Sequence, residues 1–211
     1  MRENMNNKVV VTGTVIKGFE FDHEAYGEKY YRMTIASERC SGKDDILPVI
    51  ISGRQIDVTK DYTSQYIKVT GQFRSVTKHD EAEQRNKLEL HIAAQNIETE
   101  SLGAGDWDRN RIKLNGTILG MPRYRVSPAG KEICDILLTV ERGYGKTDCI
   151  PCVVWGKNAR VLAEQKPGTQ IKINGKVRSH DYVKDGETKR AYETFISDMK
   201  FYEKEVLKEI A

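Results

Sequence analysis

No run of about 18 apolar residues occurs in this chain of 211 residues, so no helix is expected to span a bilayer. The opening residues, Met1-Arg2-Glu3-Asn4-Met5-Asn6-Asn7, lack the apolar stretch that a secretory leader needs. Cysteine is scarce: the four present suit free thiols better than a disulfide framework. Together these absences lead us to expect a cytoplasmic chain. Chemistry-bearing motifs are missing too. There is no G-x-x-x-x-G-K-[ST] loop or G-x-G-x-x-G turn for a nucleotide, and no G-x-S-x-G nucleophile. The four histidines, His23, His79, His91 and His180, show no H-E-x-x-H spacing, and His180-Asp181 has no nucleophile to serve. Cys149-Ile150-Pro151-Cys152 is a C-x-x-C, but it falls on a strand rather than at a helix start, and Cys40 and Cys134 do not supply a second ligand pair. The expectation is a protein without catalytic residues, cofactor or metal.

What is present is a balance of 31% charged and 38% hydrophobic residues. Aliphatic residues run throughout, so the polar mean hydropathy of −0.59 does not signal disorder. The length suits one large domain or two small ones. The net charge of +3 is unevenly spread. Residues 1–100 carry 14 Lys/Arg against 16 Asp/Glu, and residues 101–211 carry 20 against 15. The second half is the better partner for a polyanion.

The chain repeats itself. Asn7-Lys8-Val9-Val10-Val11-Thr12-Gly13-Thr14-Val15 matches Asn110-Arg111-Ile112-Lys113-Leu114-Asn115-Gly116-Thr117-Ile118 at an offset of 103. The same offset pairs Glu38-Arg39 with Glu141-Arg142, Asp45 with Asp148, and Pro48 with Pro151. One inserted residue later, Val69-Thr70-Gly71-Gln72-Phe73-Arg74-Ser75 falls on Ile173-Asn174-Gly175-Lys176-Val177-Arg178-Ser179. A register held this long marks a duplicated domain. We assign 1–99 to the first copy, 100–109 to a Gly-rich acidic linker, 110–202 to the second copy and 203–211 to a short charged helix or tail. Trp107, after the linker, is expected to pack between the copies.

In the second copy Ile112, Leu114, Gly116 and Ile118 alternate with polar residues, the period of a strand. Further strands are expected at 133–140, 149–155, 170–177 and 191–201. A short helix at 157–165 is closed by Lys166-Pro167-Gly168. Residues 57–62 are a weaker helical link in the first copy. Three strands, a helix and two strands is the order of the five-stranded OB-fold barrel. The fold expected is all-β: two tandem OB-folds, each with a short helix between strands 3 and 4.

Here a resemblance becomes specific. The residues that carry it are Asn110-Arg111-Ile112-Lys113-Leu114-Asn115-Gly116, Val153-Val154-Trp155-Gly156-Lys157-Asn158-Ala159, Pro167-Gly168-Thr169-Gln170-Ile171 and Gly175-Lys176-Val177-Arg178-Ser179. They resemble the DNA-binding domain of the bacterial single-stranded DNA-binding protein family. Arg123-Tyr124-Arg125-Val126-Ser127-Pro128-Ala129-Gly130 is also similar to primosomal replication protein N, another OB-fold that binds single strands. The resemblance implies sequence-tolerant binding of single-stranded DNA in replication, repair or plasmid and mobile-element maintenance, with nucleoid association when bound. It also implies a homodimer that supplies four OB-folds. The family's acidic, Phe-ended tip has no match in Phe201 to Ala211, so recruitment of repair enzymes through such a tail is not expected.

Single-strand binding of this kind needs rings for base stacking and cations along the phosphates. The resemblance places stacking aromatics at Trp155, Tyr182 and Tyr144. The candidate phosphate contacts are Arg111, Arg123, Arg125, Lys157, Lys176 and Arg178, with Arg74 the first-copy counterpart of Arg178. The first copy has Ser52 at the Trp155 position and Lys78 at the Tyr182 position. It is either a more electrostatic site or a structural and dimerising unit. The alternative for the whole chain is a tandem OB-fold scaffold of a replication or transfer complex, without nucleic-acid binding of its own.

Overall fold

The computed structural model of the chain describes residues 6–80, 85–99 and 110–202. The linker at 100–109, Trp107 and the tail at 203–211 lie outside the described residues. The chain forms ten strands: β1 (Asn7–Ala25), β2 (Glu28–Glu38), β3 (Asp44–Ser52), β4 (Tyr66–Asp80), β5 (Arg85–Glu98), β6 (Asn110–Val126), β7 (Glu132–Glu141), β8 (Thr147–Trp155), β9 (Gln170–Lys184) and β10 (Glu187–Phe201). One α-helix is present among the described residues, α1 (Lys157–Ala163), between β8 and β9.

The pairing is the same in each half. In the second, β6 pairs with β7 and β9, β7 with β8, β9 with β10, and β10 runs parallel to β8. In the first, β1 pairs with β2 and β4, β2 with β3, β4 with β5, and β5 runs parallel to β3. Each set closes a five-strand ring. Inward residues of alternating strands fill it: Val9, Val11, Ile35, Val49 and Phe73 in one, Ile112, Leu114, Leu138, Ile150 and Ile173 in the other. Buried side chains of both halves join in one cluster. Such closure needs close strand approach. A Cβ on Gly71 or on its counterpart Gly175 would meet a carbonyl oxygen of the neighbouring strand at 2.2 Å, so only glycine fits there.

The two rings share a sheet. β1 and β6 are antiparallel, with Val9 opposite Ile112, its own counterpart at the 103 offset. A near-two-fold axis therefore passes through this pair. Away from the axis the halves are clamped twice. Asp45 and Asp148 are fully buried. Asp45 accepts from Arg178 at 2.8 Å, from the backbone N–H of Ser179 at 2.8 Å, and from Arg39. Asp148 accepts from Arg74 at 2.9 Å, from the backbone N–H of Ser75 at 2.7 Å, and from Arg142 at 2.8 Å. The seryl hydroxyls close the circuit: Ile46 N–H donates to Ser179 Oγ, and Cys149 N–H to Ser75 Oγ, both at 2.8 Å. Each buried carboxylate is thus neutralised by one arginine of its own half and one of the other.

The structure corrects the sequence reading in two places. The expected helix in the first copy does not form. Residues 53–65 are turns and coil, because Asp57 accepts from the N–H of Thr59 at 3.1 Å and Asp61 from that of Thr63 at 2.8 Å. Such local side-chain bonds compete with helix formation. In the second copy Ala159 and Leu162 face the core, and α1 forms. The hairpins also run further than their apolar stretches, with β9 reaching Lys184 and β4 reaching Asp80.

Asp148→Asn should lower stability by about 3 kcal/mol, because it leaves two arginines facing a neutral amide; a urea unfolding midpoint reads this. His91 is buried, and that burial, aided by Arg32 and Arg142, pushes its pKa down to about 4. The unfolded chain takes up that proton near pH 6.5. Between these values the unfolded state binds more protons, so stability should fall as pH drops from 6.5 towards 4. His91→Gln should flatten this part of the pH profile of the thermal midpoint.

Candidate nucleic-acid interface

Period-two alternation sorts β7, β8, β9 and β10 into a core side and an outward side. Trp155 ends β8 on the outward side and is 46% exposed. Its neighbour across β7 is Ile133. Phe195 on β10 meets it edge-on, with ring centroids 6.0 Å apart. Lys176 is the cross-strand partner of Phe195, and the Arg178 guanidinium lies 5.9 Å from the Phe195 ring centroid. Arg123 and Arg125 at the end of β6 are paired with Asp135 and Ile133 of β7, and so share this outward side. The Lys131 ammonium lies over the Trp155 ring at 5.5 Å. The result is a flat aromatic pair rimmed by cations, on strands held by the barrel behind them.

The cations differ in what already holds them. Arg123, Lys157 and Lys176 have no hydrogen-bond or ion-pair partner among the described residues; Lys157 opens α1 two residues after Trp155. Arg125 is bidentate to Asp135 at 2.9 and 3.2 Å. Arg178 and Arg74 are the clamp arginines, each committed to a buried aspartate of the other half. Releasing either for a phosphate would strand that carboxylate, so their expected role as phosphate contacts gives way to an interface role. Arg111 is also placed elsewhere. It lines a shallow pocket with Lys8 and Lys68 where β6 meets β1 and β4.

The three expected stacking aromatics are not brought together. Tyr144 sits at a positive φ in the turn between β7 and β8, fully exposed. That turn is at the far end of β8, roughly 27 Å from Trp155 by strand rise. Tyr182 is on the outward side of β9, three side-chain positions beyond Lys176 or roughly 20 Å along the strand. There it lines an open groove of about 520 Å³ whose other wall belongs to the first copy. Phe195, by contrast, escaped the sequence reading. Its signal was position: it is outward on β10 beside Val153, in a strand otherwise read only as barrel wall.

In the first copy the equivalent outward side is occupied by its own charges. Ser52, at the Trp155 position, is buried and donates to Glu28. Tyr30 stacks on His23 with centroids 4.7 Å apart, and Lys78 pairs with Glu89 at 2.8 Å. Arg32 pairs with Asp22 at 2.6 Å. Burial pushes the Asp22 carboxyl up, but hydrogen bonds from His23 and Arg32 outweigh it and hold its pKa below the usual carboxylate range. These carboxylates disfavour phosphate on this side.

No metal-ligating cluster of three or more His, Cys, Asp or Glu occurs among the described residues. Cys134 and Cys152 are buried. Burial pushes the Cys134 thiol up to about 11, and the Cys152 thiol well up too.

With this geometry in hand, comparison with known proteins is informative. Residues 109–202 match the model of the single-strand binding protein family. The chain is 32% identical over 102 residues to the single-stranded DNA-binding protein of Clostridium tetani, covering 44% of this chain and 70% of that one. It is 34% identical over 92 residues to single-stranded DNA-binding protein 2 of Listeria monocytogenes, covering 40% of this chain and 57% of that one. The fold is similar over almost the whole chain to a crystal structure of the single-stranded DNA binding protein from Thermus aquaticus. That match has a TM-score of 0.75 at 19% identity, and covers 96% of this chain and 97% of that one.

A thiol reagent applied to the native protein should label Cys40, which is exposed, and spare Cys134 and Cys152. Peptide mass spectrometry before and after unfolding distinguishes the two sets.

Proposed function

The chain belongs to the single-strand binding protein family, and on that premise we propose that it binds single-stranded DNA with little sequence choice. The observation that carries this reading is the Trp155–Phe195 pair, exposed on one outward side with Arg123 and Lys176 beside it. Bases stack on the rings, and the free cations take the phosphates. Lys131 over Trp155 marks a ring face open to a cation, which a base can share. The function is binding, not catalysis. DNA rather than RNA follows from the family, since no group on this side is arranged to read a 2′-hydroxyl.

In finer detail, we read the two closed rings as OB-folds in tandem, the first within 1–99 and the second within 110–202. Repetition of the strand pairing supports this reading. The second copy is the binding unit; the carboxylates of the first copy's equivalent side support assigning that copy a largely structural part. Two chains associating would bring four OB-folds together, and light scattering at twice the 24.1 kDa chain mass would test this. Replication, repair or mobile-element maintenance in the cytoplasm is the setting the family suggests. The first copy's acidic side favours a second reading, a scaffold that binds no nucleic acid.

A tryptophan-fluorescence titration with an oligo-dT of about 35 nucleotides separates the readings, since one OB-fold covers ~4–16 nucleotides. Quenching that weakens with salt, absent with duplex, is expected; no quenching and no gel shift at low salt would leave the scaffold. Trp155→Ala should lose ~1–3 kcal/mol of binding with the salt slope unchanged. Arg123→Ala should instead reduce the log–log salt slope by about 0.7.

A further inference from the structure

The groove that receives Tyr182 lies between the copies. Tyr182, Arg190 and Pro151 face it from the second copy; Pro48, Lys87 and Leu88 face it from the first. It straddles the near-two-fold relation. Pro48 and Pro151 are counterparts at the 103 offset. The parallel pairings Val49 with Ile92 and Cys152 with Thr194 set an offset of 102 for β5 and β10, which makes Leu88 the counterpart of Arg190. The two walls therefore share a backbone plan and differ in chemistry. One offers a tyrosine ring and a guanidinium, the other an aliphatic surface and an ammonium. Three cations, Arg32, Lys87 and Arg190, line it against one carboxylate, Glu89.

The groove is also continuous with the Trp155 side. Pro151 is outward on β8, as Val153 and Trp155 are, and Ala191 is outward on β10 with Phe195. Four residues separate the two pairs, roughly 13 Å of strand. A polymer laid on Trp155 and Phe195 and led along β8 and β10 arrives between the copies.

We propose that this groove is a second subsite for the same single strand, which passes from the Trp155 side between the two copies. The proposal rests on reading the Trp155 side as a single-strand platform. In the groove a base lies between the Tyr182 ring and the apolar wall of Leu88 and Pro48. Lys87, which has no hydrogen-bond or ion-pair partner among the described residues, faces the phosphates from the first copy. Arg190, oriented by its 2.6 and 2.9 Å bonds to Asp181, faces them from the second. The first copy thus takes part in binding through its β5 wall, although its own strand-3 position is closed.

Lys87→Glu tests this, because Lys87 is exposed and lies on the first copy, away from Trp155. Wild type and variant are titrated with oligo-dT of about 8 and about 35 nucleotides. Binding is followed by tryptophan quenching, with thermal midpoints as a folding check. The expected result is about tenfold weaker binding of the long oligonucleotide with a reduced salt slope, and unchanged binding of the short one. Unchanged binding of both, with quenching intact, overturns the groove path and leaves the Trp155 platform standing. Equal weakening of both lengths assigns the effect to the general field of the protein and also overturns it. Wild-type protein that is quenched by neither overturns the platform itself.

Discussion

Asp45 and Asp148 are carboxylates without access to water, and a buried charge is tolerated only where it is paired and hydrogen-bonded. Here the pairing is crossed: Arg178 comes to Asp45 from the other half, and Arg74 to Asp148. Ser179 and Ser75 complete each shell through backbone and hydroxyl. Pulling the halves apart would leave both carboxylates short of a partner in a dry site. The β1–β6 ladder fixes their register and the shared core supplies most of the apolar burial, but the crossed pairs make each half incomplete alone. All the external surfaces are positioned relative to one another by this arrangement.

With the frame fixed, the outward sides are free to differ. On the second copy a Trp–Phe pair stands among cations with no competing partner. On the first, Glu28 fills the neighbourhood of Ser52, and Asp22 and Glu89 hold Arg32 and Lys78. The charge imbalance between the halves of the sequence is thus expressed as a difference in surface potential over nearly identical backbones. The groove between the copies is the one place where both surfaces face the same space.

Much of this was legible in the sequence. Alternation located the strands, the 103-residue register gave the duplication, and the Lys166-Pro167-Gly168 stop closed the second-copy helix. The failures have physical causes. A helical reading of residues 57–62 overlooked that Asp-x-Thr, repeated, satisfies backbone N–H groups locally. Arg74 and Arg178 looked like phosphate contacts because a cation on a strand has no visible partner until the fold brings one from about 130 residues away or less. The sequence did hold a hint: Arg39 and Arg142, Asp45 and Asp148, and Arg74 and Arg178 recur in both copies, while the binding residues do not. A charge kept by both halves serves what they share. Tyr144 and Tyr182 were grouped with Trp155 by resemblance, yet strand length separates them, and strand length was the least legible quantity because the polar hairpin ends carry no apolar signal.

Joining the two rings in one polypeptide also alters what a single substitution does. In an assembly of identical subunits, any change at an interface appears on both sides of its symmetry axis, so a carboxylate added to one face is added to every face. Here the axis through Val9 and Ile112 relates positions that are encoded separately. Ser52 can differ from Trp155, and Leu88 from Arg190, while Asp45 and Asp148 stay alike. Specialisation of one copy and upkeep of the clamp are thereby independent mutational problems.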